Sequence, residues 1–158
     1  MLKTLEIDEQ IFQKLVNFST NNYHLPPLAA KIYAYLTFDF EMNGVTFEEL
    51  VDDLKASKSS VSCNLDLLLK SKHITVLNKI DERKRYFTLN PDYIKIRFGG
   101  IIERLEKEVD ILDDLHVLIK SKKCAENSDS YLNKMDIYSD LLKTNITRFT
   151  KTLEKLYQ

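Results

Sequence analysis

The chain has 158 residues, of which 44% are hydrophobic, with only three Gly and three Pro; that is enough apolar material for a core and too little Gly and Pro for a low-complexity chain. No run of about 18 apolar residues is present to cross a membrane, and MLKTLEIDEQ lacks the apolar region of a signal peptide. A net charge of −1 does not by itself point to nucleic acid, and Cys63 and Cys124, far apart and without a zinc spacing, are expected to be reduced thiols of a cytoplasmic protein.

Leu5 to Asn22 has Ile11, Leu15 and Phe18 on one face, with Phe12 and Val16 beside them, and forms an amphipathic helix that needs a surface to pack on. Pro26-Pro27 forces an extended break. A second helix spans Leu28 to Phe40 with Ile32, Tyr35 and Leu36 as its stripe. Asn43-Gly44 turns the chain, and Val45 adds a short strand that covers a sheet edge. Thr46 opens a third helix with Glu49 at the capping-box spacing. Phe47, Leu50, Val51 and Leu54 then share a face. After a break at Lys55-Ala56, Ser57 caps a fourth helix. Val61, Leu65, Leu68 and Leu69 point to its core side; Ser59, Ser60, Cys63, Asp66 and Lys70 lie opposite, flanked by Ser62 and Asn64. The β-branched run Ile74-Thr75-Val76, the polar turn Asp81-Glu82-Arg83 and the segment Lys84 to Leu89 form a hairpin.

Pro91-Asp92 starts another helix, and Gly99-Gly100 interrupts it or marks its start. From there to about Lys120, Phe98, Ile102, Leu105, Val109, Leu112, His116 and Ile119 recur at alternating four and three, a heptad seam. Residues 121–130 are a polar connection. A last helix from about Tyr131 to Tyr157 carries Tyr131, Met135, Tyr138, Leu142, Asn145 and Phe149 at the same spacing. The two long helices are expected to form an antiparallel hairpin. Its apolar width calls for a partner, most simply a second copy.

Helix, turn, helix, hairpin is the plan of a winged helix-turn-helix, in which the second helix enters the DNA major groove and the wing touches the backbone. Charge agrees with the pattern. Residues 1–54 carry 3 Lys and Arg against 9 Asp and Glu, residues 55–100 carry 10 against 4, and residues 101–158 carry 10 against 11. A basic block in an acidic chain is the electrostatic footprint of a DNA reader; the plainer reading is a solvated surface. The candidate contacts on the helix (57–72) are Ser57, Lys58, Ser59, Ser60, Ser62, Cys63, Asn64 and Lys70. On the wing (79–85) they are Arg83, Lys84 and Arg85. Short hydroxyls near a helix N-terminus donate to phosphates or reach base edges. The helix face has no Arg for guanine, and Asn64 is its one residue suited to adenine, so direct readout is modest. The structural alternatives are that the serines are caps and solvent residues and the arginines a solvated hairpin tip.

The run SKSSVSCNLDLLLKSKHI, Ser57 to Ile74, resembles the recognition helix of the GbsR/MarR group of bacterial and archaeal regulators. LPPLAAKIYAYL before it and DERKRYFTLNPDY after it are similar to the flanks of the same module, so the resemblance covers about Leu25 to Tyr93. Such modules often have Gly in the helix-to-helix turn and at the wing tip, where this chain has Lys55-Ala56 and Asp81. The expected protein is a homodimeric regulator of transcription on double-stranded DNA, whose dimer symmetry predicts a pseudo-palindromic operator; the resemblance implies that it is a repressor open to a small-molecule effector. The expected fold is mainly α with a small β-wing. The expected division is an N-terminal helix at the dimer interface (1–24), a DNA-binding domain (25–91) and a helical dimerisation region (92–158). No phosphate-binding Gly loop, HExxH, zinc-like Cys cluster or nucleophile elbow occurs, so neither an enzyme nor a cofactor or metal site is expected. The alternative is a winged-helix protein-interaction module whose tail binds a different protein.

Overall fold

The computed structural model describes residues 5–80, 82–122 and 128–158; the expected wing-tip Asp81, Cys124 and half of the polar connection lie outside them. The element order is α1 (Glu9–Asn22), α2 (Pro27–Thr37), β1 (Val45–Thr46), α3 (Phe47–Asp53), α4 (Lys58–Lys70), β2 (Ile74–Asn78), β3 (Arg85–Leu89), α5 (Tyr93–Ser121) and α6 (Ser128–Leu156). These elements form two compact units, Met1–Tyr93 and Ile94–Gln158. The fold is mainly helical with a small three-stranded antiparallel sheet, as the residue pattern implies.

In the first unit, α1 begins later than its apolar pattern suggests, because the Asp8 carboxylate caps it, accepting the Ile11 amide at 2.9 Å. The helix packs on α2. Val16 and Ser19 are buried, while Ile11 and Phe18 stay exposed. The core continues through Ile32, Leu36, Leu50, Val61, Leu68 and Ile74, all essentially inaccessible. The capping box at Thr46 forms in full: the Glu49 amide donates to Thr46 Oγ1 at 3.3 Å, and the Thr46 amide to the Glu49 carboxylate at 2.7 Å.

The turn between α3 and α4 manages without glycine. Lys55 takes φ +50° and the Ala56 amide reaches back to the Val51 carbonyl at 3.2 Å, closing α3 with a Schellman bond. α4 ends the same way, with Lys72 at φ +60° and the His73 amide on the Leu68 carbonyl at 3.0 Å. Gly44 does require its residue type. Its φ is +78°, and a Cβ there would lie 2.7 Å from Tyr86 Cβ. The strand order is β1-β3-β2, with Val45 opposite Phe87, Ile74 opposite Leu89 and Asn78 opposite Arg85.

The second unit is an antiparallel helical hairpin. Phe98 meets Phe149 with ring centres 5.3 Å apart, the Tyr138 hydroxyl donates to Glu108 at 2.6 Å, and His116 Nδ1 lies 3.1 Å from Asp136. The seven α5 positions of the predicted seam are its covered line, with Val109 buried. Two expectations are corrected. α5 runs straight through Gly99-Gly100: the cost of about 1 kcal/mol per glycine is outweighed by seam residues on both sides of the pair. On α6, Tyr131 and Tyr138 are exposed, and the covered line is Leu132, Met135, Ser139, Leu142, Asn145, Ile146, Phe149 and Leu153. Tyr138 leaves the seam because its hydroxyl needs a polar partner, which Glu108 provides at the edge.

Candidate nucleic-acid interface

Val61, Leu65 and Leu68 anchor one side of α4 in the core, which turns the opposite side to solvent. Ser57 is the N-cap: its Oγ accepts the Ser60 amide at 3.2 Å, donates to Ser60 Oγ at 2.8 Å and lies 3.2 Å from Ser59 Oγ. Three hydroxyls are thus gathered where the first-turn N–H groups of the helix point outward. Lys58, Ser59, Ser60, Ser62, Cys63 and Lys70 are exposed. Asn64 is half-buried, and its Nδ2 donates to the Ser60 carbonyl at 2.8 Å. One N–H and the amide oxygen remain for an outside partner, so Asn64 is oriented by its own helix.

On the wing, Arg83, Lys84 and Arg85 are exposed, and none pairs with a carboxylate among the described residues. β3 starts only at Arg85, so strand alternation does not govern Arg83 and Lys84; they belong to the turn. Arg85 lies beside the Phe87 ring, its guanidinium carbon 5.3 Å from the centroid. Lys79, which pattern reasoning did not single out, sits 3.8 Å over the Tyr86 ring, and the Tyr86 hydroxyl donates to Glu82. That hydrogen bond, with a lesser contribution from burial, raises the Tyr86 phenol above its ordinary pKa. Lys79 therefore covers the face of the ring, and Glu82 holds its hydroxyl.

A second cluster lies at the C-terminal end of α4. His73 is buried, with Nδ1 2.7 Å from Ser71 Oγ and Nε2 2.9 Å from the Tyr93 hydroxyl. Tyr23 and Tyr33 each lie 5.5 Å from its ring, and Tyr93 lies 4.4 Å away. The cluster ties the end of α4 to the end of α1, to α2 and to the first residue of α5. Sequence reasoning missed it, because Tyr23, Tyr33, His73 and Tyr93 share no spacing. Among the described residues no group of His, Cys, Asp and Glu is placed to hold a metal ion, and no helix is long and apolar enough to cross a membrane.

No protein-family model matches the chain, and no curated protein does. Solved structures do. One described as a transcriptional regulator is 20% identical, with a TM-score of 0.55, over 94% of this chain and 97% of that one. MepR, a transcription regulator of the Staphylococcus aureus multidrug efflux pump MepA, is 17% identical over 91% of this chain and 90% of its own, with a TM-score of 0.43. A MepR variant from S. aureus bound to an oligodeoxyribonucleotide is 16% identical over 90% and 89%, with a TM-score of 0.44. At these identities the first likeness establishes the winged-helix fold, and the other two add nothing to it.

Proposed function

We propose that this protein is a dimeric DNA-binding transcriptional regulator, acting as a repressor on a pseudo-palindromic operator. The observation that carries the reading is the exposed hydroxyl and lysine face of α4 together with a basic wing that has no carboxylate partner among the described residues. α4 would lie in the major groove, with Ser59, Ser60, Ser62, Asn64, Lys58 and Lys70 toward DNA and Cys63 among them. Ser57 would act mainly through the cap. Arg83, Lys84 and Arg85 would meet phosphates beside it. Residues 25–91 form the DNA-binding part in this account, and residues 92–158 dimerise through the apolar side chains left exposed on the hairpin, Ile111, Val117, Ile137 and Leu141 among them. Ile11 and Phe18 of the N-terminal helix would join that interface. An apolar crevice lined by Ile94, Phe98, Phe149 and Leu153, with Arg148 at its side, is where an apolar anionic effector would bind.

Phosphate contacts release counterions, so affinity falls steeply with salt. Replacing both Arg83 and Arg85 by Ala should weaken binding to every duplex and flatten the salt slope by about 1 per lost contact, as read by fluorescence anisotropy over a salt series. Unchanged affinity and slope would remove the wing from the mechanism. They would favour the second reading, an interaction module that binds another protein through the same exposed hairpin residues.

A further inference from the structure

Among the described residues, Ile80 is the most exposed large apolar side chain, 93% open to solvent. It stands at the tip of the β2–β3 hairpin. The Glu82 amide donates to the Lys79 carbonyl at 3.3 Å, which places Ile80 in the turn that joins the two strands. Turns fill such positions with Gly, Pro, Asn, Asp or Ser, each for a backbone reason. A β-branched apolar residue gives the turn nothing, and Ile80 contributes nothing to the hydrophobic core. Neither local conformation nor packing accounts for it.

Its surroundings narrow the partner. The tip is braced from both sides: Lys79 lies over the Tyr86 ring and the Tyr86 hydroxyl holds Glu82. With Lys79 and Glu82 engaged on that ring, and Asp81 outside the described residues, the charges near the tip that have no carboxylate partner among the described residues are Arg83, Lys84 and Arg85. An apolar point on a stiff support, accompanied by three cations, suits a partner with an anionic rim and an apolar interior. The minor groove of a duplex has that construction, with phosphates at its edges and stacked bases within.

We propose that Ile80 is an apolar wedge that enters the minor groove beside each half-site, opens a base step and bends the duplex, while Arg83, Lys84 and Arg85 hold the flanking phosphates. The inference rests on the DNA-binding reading above. It explains how a helix face without arginine obtains selectivity: pyrimidine–purine steps open most readily, so the wedge selects a TA or CA/TG step at a fixed distance from α4. Two wings in a dimer place two such steps symmetrically about the operator centre.

The test compares wild type with Ile80→Ser, a change at a site too exposed to affect folding. The probe is a duplex of about 30 bp recovered by selection from a random library, labelled at both ends for energy transfer and carrying 2-aminopurine at its flexible steps. Wild type should shorten the end-to-end distance and raise the 2-aminopurine fluorescence. Ile80→Ser should bind roughly tenfold more weakly with an unchanged salt slope, and should do neither. Equal bending and fluorescence in the two proteins would overturn the wedge and leave the DNA reading standing. So would an Ile80→Ser defect confined to phosphatidylserine vesicles, which would assign the tip to a membrane surface. Failure of wild type to bind any duplex would remove the DNA reading, and the wedge with it.

Discussion

Tyr35 links the core to the surface of the first unit. Its ring is buried on α2, and its hydroxyl donates to the Asp53 carboxylate at the end of α3. Burial first, and that hydrogen bond second, raise the phenol above its ordinary pKa of 10.0. The protonated form is therefore favoured in the folded state. This stabilisation is complete below the unfolded pKa of about 10 and is lost as pH rises through the higher folded value. Tyr35→Phe should cost about 1 kcal/mol at neutral pH and should make stability less steeply dependent on pH above 10, as urea titrations at neutral and alkaline pH will show. An unaltered alkaline slope would assign the loss to other tyrosines. At this scale, legibility follows sequence distance. The caps at Thr46 and Ser57 were readable because donor and acceptor are three residues apart. The Tyr35–Asp53 bond, the His73 cluster and the Lys79–Tyr86 contact were not, because their partners meet only when separate elements pack or pair.

At the scale of elements, periodicity identified every helix and both wing strands, and errors fell where a local signal competed with packing. Gly99-Gly100 looked like a break, yet α5 is continuous. A Cβ at either position would meet no atom within 4 Å. Gly99→Ala and Gly100→Ala should each stabilise the protein by about 0.5–1 kcal/mol, through the lower entropy of the unfolded chain, and raise the thermal midpoint in calorimetry. A lowered midpoint would mean that the pair adopts a non-helical conformation in solution. The α6 seam was partly legible: Met135, Leu142, Asn145 and Phe149 are covered as their spacing indicated, but Tyr131 and Tyr138 are not. A heptad count assigns aromatic residues to a seam by apolar character, whereas the Tyr138 hydroxyl is satisfied only at its edge. At the wing, the basic cluster was plain in sequence; that Arg83 and Lys84 sit in the turn, and that Lys79 braces the tip, depended on where β3 begins.

For the whole molecule, what matters is how charge and apolar surface are divided. The basic residues concentrate between 55 and 100, with 10 Lys and Arg against 4 Asp and Glu. Large exposed apolar side chains recur along the hairpin of the second unit. That division supports the proposed reading, in which one part binds an anionic polymer and the other would bind a second copy. The winged-helix plan was legible in the sequence because helix periodicity, the caps at Thr46 and Ser57 and the β-branched run of the wing agreed with it, despite turns without glycine. The operator was not, because base preference depends on a few contacts and on DNA shape that no residue pattern encodes. Selection of bound duplexes from a random library by the purified protein, at two salt concentrations, separates a regulator from an adaptor. A dimeric regulator should enrich an inverted repeat with half-sites about one helical turn apart, retained at the higher salt. Binding that fades with salt and enriches no sequence would contradict that reading, leaving only an electrostatic patch on a winged-helix interaction module.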